Sequence, residues 1–232
     1  MSQKTKNTPQ RRKLMLGGII VAAVVIAVIF VVLSSQSSFS EVTSDYSAIP
    51  QGRQADGGFV LGDPDAPITV VAFEDFLCPA CQRYKPIVEK YIEAYVATGQ
   101  ARFEYRMLPV VHPGYSRLAA QLAECADTLR PGSFWEAHDA LFQIASARSF
   151  SDNSGRSFAE MMDMSYTELL ECTQDASQVN TDMRLAQQHS VTGTPSVFVR
   201  YGDGPLQVSR FGQHPSFEQL GNLVAEAGFA RR

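Results

Sequence analysis

The chain has 232 residues, 45% of them hydrophobic, and twenty Lys and Arg against twenty-four Asp and Glu, a net charge of −4. Five of the basic residues (Lys4, Lys6, Arg11, Arg12 and Lys13) fall in the first thirteen positions, so the remainder holds fifteen against twenty-four, a balance of −9. That remainder has only Lys85 and Lys90 as lysines and offers no basic face, which excludes nucleic acid as a partner.

Residues 1–13 read as a basic cytoplasmic tail. Residues 14–33 form an uncharged apolar run of twenty residues, which as a helix spans roughly 30 Å, the thickness of a hydrocarbon core. The expectation is one transmembrane helix, with the basic flank inside and everything after Leu33 extracytoplasmic. A cleaved signal peptide has a shorter apolar stretch of about 7–15 residues. Ser34 and Ser35 nevertheless offer small residues at a cut, so cleavage stays an alternative to an uncleaved anchor. No cysteine follows the run, which removes a lipoprotein reading. Residues 34–57, rich in serine and without periodicity, read as a flexible linker. Residues 58–228 are long enough for one domain with its own core.

Within that domain, Phe59-Val60-Leu61 before Gly62-Asp63-Pro64 reads as a short edge strand and turn. Ile68 to Phe73, β-branched and apolar almost throughout, reads as a strand covered on both faces. From Cys78 to about Thr98, Ile87, Val88, Tyr91, Ile92 and Tyr95 recur at helical spacing, with Pro86 expected to kink the helix and Gly99 to end it. Ala101–Leu108 is a further strand, which completes a βαβ unit. Five helical segments follow: Tyr115–Thr128, Phe134–Ala145, Phe158–Met164, Tyr166–Asp175 and Val179–Ser190. His138, in the second of them, is expected to lie half in the core. Val197-Phe198-Val199 and Leu206–Ser209 then flank a glycine turn, and a last helix opens at Ser216 with Gln219 as its capping-box partner. The order is βαβ, a helical insertion over about 113–190, then ββα.

The strand-to-helix junction carries Cys78-Pro79-Ala80-Cys81. Unpaired N–H groups and the dipole at a helix start favour a thiolate, the form that attacks disulfides. A second cysteine one turn on can close a reversible ring with the first. CxxC is also half of a zinc site. His112, His138, His189 and His214 lack the matching spacing, so no metal is expected.

Four segments in this order resemble the DsbA-like branch of the thioredoxin superfamily, in its membrane-anchored, extracytoplasmic form. They are Gly62-Asp63-Pro64 through Phe73-Glu74-Asp75-Phe76-Leu77-Cys78-Pro79-Ala80-Cys81; Ser116–Cys125; Phe134-Trp135-Glu136-Ala137-His138-Asp139-Ala140-Leu141-Phe142; and Val191-Thr192-Gly193-Thr194-Pro195-Ser196. The resemblance implies a thioredoxin-like α/β fold with an inserted helical domain. Cys78 is then the exposed nucleophile and Cys81 its less exposed partner. Pro195 is cis against the pair, with the Thr194 backbone pairing to an extended substrate segment. No prosthetic group is implied.

Two departures bear on mechanism. Many relatives place a buried acid six residues before the first cysteine, where this chain has Ala72; Glu74, two residues on, is the candidate proton relay to Cys81, against a solvated strand-end reading for Glu74 and Asp75. Oxidising members often carry His between the cysteines, where this chain has Pro79-Ala80, so the pair is expected to be less oxidising. Outside the cell Cys125 and Cys172 are expected to be joined in a structural disulfide, as similar pairs are in some relatives. Two buried thiols or a second redox relay are the alternatives.

The function expected is formation of disulfides in exported cysteine-containing proteins by exchange through Cys78–Cys81. A quinone-linked membrane reoxidase of the DsbB or vitamin-K-epoxide-reductase type would restore the disulfide. A reductase or isomerase of the same fold, or a non-catalytic binding or scaffold domain, are the rival readings.

Overall fold

The computed structural model describes residues 46–147 and 150–230. The basic tail, the apolar run of residues 14–33 and the first part of the linker lie outside these. Among the described residues no helix is long and apolar enough to cross a membrane.

Six strands, β1 (Gln51–Arg53), β2 (Phe59–Leu61), β3 (Ile68–Glu74), β4 (Arg102–Met107), β5 (Ser196–Tyr201) and β6 (Gln207–Val208), form one sheet in the order β1-β2-β4-β3-β5-β6. Only β3 and β4 run parallel, joined by the crossover helix α1 (Pro79–Tyr91); the other neighbours pair antiparallel. The central strand β3 is buried at every residue, as its β-branched composition demands. Its alternate side chains serve two cores. Ile68, Val70 and Ala72 face the main one with Tyr84, Val88 and Tyr91 of α1. Val71 and Phe73 face a smaller one with Leu108, Ala186 and Phe198.

Where one helix to about Thr98 was expected, the α-helix ends at Tyr91 and a π-helical turn, Ile92–Val96, continues it; the wider turn carries Ile92 and Val96 into the core. Pro86 lies inside α1.

The insertion comprises α2 (Pro113–Leu129), α3 (Phe134–Ala147), α4 (Ser154–Met161), α5 (Tyr166–Thr173) and α6 (Gln178–Gln188). Helix α4 sits earlier than the expected Phe158–Met164: Asn153 starts it, and Asp163, with φ at 49°, turns the chain out of helical conformation. The last helix is α7 (Phe217–Ala230); Ser216 and Gln219 cap it reciprocally, at 2.8 and 3.3 Å.

The stretch expected as linker is folded from Tyr46 on. Tyr46 is buried against Trp135, and β1 pairs with β2. All three residues of β1 are exposed, so the sequence gives no alternation to read.

A buried ion network joins sheet and insertion. The Arg106 guanidinium on β4 bonds Glu104 at 2.6 Å, Asp182 of α6 at 2.9 Å and Asp56 at 2.8 Å. Glu104 also takes Arg200 of β5 and Gln54, and the second oxygen of Asp182 accepts the Met107 N–H. Gly58 permits the close approach, since a Cβ there would stand 2.3 Å from the guanidinium carbon.

Candidate active site

Pairing of Phe73 with Ser196 sets the end of β3 beside the start of β5, so the segments following one and preceding the other meet at the same end of the sheet. The first carries the cysteines and the second Gly193-Thr194-Pro195. Cys78 is the residue capping α1, in extended conformation with φ −73° and ψ 119°, and Pro79 opens the helix. Proline suits this position because its missing N–H would have had no helical acceptor. The Thr194–Pro195 bond is cis, and the Cys78 thiol donates to the Thr194 carbonyl at 3.3 Å. Both cysteines are free thiols; Cys78 is 7% exposed and Cys81 0%. Cys78 is thus the more accessible sulfur, but it lies in a recess rather than on an open surface.

Glu74 and Asp75 are both buried, not solvated, and do different things. Asp75 accepts the N–H of Leu77 at 2.9 Å with one oxygen, as an Asx turn, and those of Val110 and Val111, each at 2.9 Å, with the other. It therefore ties the cysteine loop to the segment leaving β4. Glu74 is held differently: its Oε1 has no hydrogen-bond partner among the described residues, and neither do Tyr105 OH or Thr194 Oγ1. Burial pushes the Glu74 carboxyl up to about 8, with Lys85 partly opposing. Burial and then the Glu74 carboxyl push the Cys81 thiol far above its ordinary range. Lys85, one turn past Cys81 on α1, is held by Asp139 at 3.1 Å and by Glu89.

A buried tyrosine stands across the sheet from Ala72. Register pairs Ala72 with Tyr105 across β3 and β4, and the phenol lies within electrostatic reach of Glu74 and Cys81. Asp75, Lys85 and Tyr105 escaped the sequence reading; only Asp75 left a signal there, as an Asx-turn residue just past a strand.

Cys125 of α2 and Cys172 of α5 form a disulfide, with Cα atoms 5.8 Å apart. The histidines are dispersed. His112 accepts the Tyr115 N–H at the start of α2, His138 is fully buried among Phe76, Tyr105 and Phe142, His189 packs on Phe198, and His214 on Tyr84. Burial lowers the His138 pKa, which keeps the ring neutral in the core.

A strand-to-helix CxxC facing a cis-proline loop defines a thioredoxin-type redox centre. Residues 54–211 match the family described as Thioredoxin. The chain belongs to that family, and its relatives place it in the DsbA-like branch. It is 29% identical over 148 residues to disulfide bond formation protein D of Bacillus subtilis, covering 60% of this chain and 66% of that one. It superposes on oxidised BdbD from Bacillus subtilis with a TM-score of 0.58 at 26% identity, covering 72% of this chain and 91% of the other. It is also 34% identical over 160 residues, 66% of its length, to Na(+)/H(+) antiporter NhaA 3 of Salinispora tropica. The match spans only 23% of that antiporter.

Proposed function

We propose that the chain forms disulfides in exported proteins, with Cys78 as the sulfur that meets substrate. The observation that carries this is the thiol of Cys78 at the start of α1, bonded to the Thr194 carbonyl, with Cys81 fully buried behind it. In the oxidised form a substrate thiolate attacks Cys78 and Cys81 leaves as a thiolate. A second substrate thiolate then attacks Cys78, so the substrate gives up two electrons and two protons and the enzyme is left as the dithiol. Thr194 and Pro195 hold the extended substrate segment across the reacting sulfurs.

Glu74 is the proton relay. A carboxyl with a pKa of about 8 is part protonated near neutrality, so it can donate to the departing Cys81 and accept again on reoxidation. Reoxidation falls to a quinone-linked membrane partner of the DsbB or vitamin-K-epoxide-reductase type. Residues 14–33 anchor the domain on the extracytoplasmic side; the unbroken apolar run and its basic flank support that reading.

The test is reoxidation of reduced, unfolded ribonuclease by the full-length chain, with Cys78→Ser as control, together with the reduction potential of the pair. Catalysis lost in Cys78→Ser and a potential well above about −270 mV support an oxidase. A potential near that value makes it a reductase, and no exchange at all leaves a binding domain. For the anchor, resistance to alkaline extraction and labelling of Cys78 by an impermeant maleimide on intact cells are expected; release or protection overturns it.

A further inference from the structure

The loop that holds Thr194 begins at Val191-Thr192, and those two residues, two and three positions before Thr194, line a groove of about 870 Å³. Leu108 and Ala186 also line it, along with Arg117 of α2 and Arg184 of α6. Val110 and Val111, just past the groove residue Leu108, are 45% and 47% exposed, with backbones pinned by Asp75. The surface thus combines an apolar shelf with two cationic groups.

Those two cations stand in the groove without a carboxylate partner. In a domain with a balance of −9, Arg53, Arg106, Arg130, Arg200 and Arg210 each meet a carboxylate. Among the described residues Arg83, Arg102, Arg117, Arg156 and Arg184 form no ion pair with a carboxylate, and of these Arg117 and Arg184 line this groove. Neutral groups hold them instead: Asn180 and Met183 orient Arg117, the sulfur at 3.7 Å, and Thr181 bonds Arg184 at 3.0 Å. Guanidinium groups positioned this way keep donors free for a bidentate carboxylate.

We infer that Arg117 and Arg184 select substrate segments that carry an aspartate or glutamate a few residues from the reacting cysteine. The inference rests on the exchange reading above and names its substrate class. An extended segment paired to the Thr194 backbone advances about 3.3 Å per residue, which takes it over Thr192 and into the groove.

The test uses two-cysteine peptides that differ only by Asp or Asn at successive positions beside the attacking cysteine. Their second-order rates of oxidation by the oxidised full-length chain are each divided by their rate with glutathione disulfide, which removes intrinsic thiol reactivity. At one or two positions the Asp peptide is expected to react about two- to fivefold faster, with the ratio falling as salt is raised. In the Arg117→Gln/Arg184→Gln chain the ratio is expected to fall to about one. A ratio near one at every position in the unaltered chain at low salt overturns the inference but leaves exchange intact, and so does a preference that survives the double substitution. Failure to oxidise any peptide sinks the exchange reading and this inference with it.

Discussion

Adjacent acids at the end of β3 have opposite fates because of what surrounds their oxygens. Asp75 meets three N–H groups and stays a structural acceptor; Asp75→Ala strands all three and is expected to cost on the order of 3 kcal/mol in urea unfolding. A loss under 1 kcal/mol would mean the loop is held by something else. Glu74 has a folded pKa of about 8 against an ordinary 4.5, so between those values the folded chain keeps a proton that the unfolded chain has released. The stability tied to the neutral carboxyl is therefore complete below about pH 4.5 and is lost as pH rises through about 8. Glu74→Gln is expected to gain stability over the unaltered chain across that window, by up to about 1.4 kcal/mol per pH unit. Unfolding curves from pH 4 to pH 9 check it, and the difference between the two chains removes the opposing contribution of His138. A difference that does not grow with pH contradicts a neutral Glu74.

At the scale of elements, the later helices of the insertion, α4, α5 and α6, are too short to persist alone. The eight-residue α5 is fixed to α2 by the Cys125–Cys172 bond, which closes a separation of 47 residues. A loop of that size contributes about 4 kcal/mol in the chain-entropy model. Cys125→Ala/Cys172→Ala is expected to lower stability by up to that amount and to speed amide exchange in α5 before β3. Equal protection of α5 in both chains would show that packing alone holds the helix.

Over the whole molecule, the Arg106 network is what fixes the insertion and the segment before β2 to the sheet. Arg106→Met leaves Glu104 and Asp182 buried beside an apolar side chain and is expected to cost about 3–5 kcal/mol. A melting temperature unchanged from that of the original chain would refute that role.

How much of this was legible depended on range. The strand β3 and helices α1 and α2 announce themselves in runs of neighbouring residues, since burial on one or both faces imposes a period. CxxC and Gly-Thr-Pro are equally local, and their shared chemistry could be named before any coordinates. Three exposed residues of β1 carry no period, and their strand exists only because Leu61 offers Gln51 a partner. Arg106 and Asp182, 76 positions apart, look like surface charges until the fold removes water from both. Sequence by itself determined the redox pair, its helix-start setting and the order of strands and helices, because each depends on neighbours a few residues apart. Tertiary structure alone decided that Cys81 and Glu74 are both buried, that Tyr105 stands across the sheet from Ala72, and that two arginines line an open groove. Those facts depend on which distant side chains exclude solvent, and solvent exclusion belongs to the assembled core.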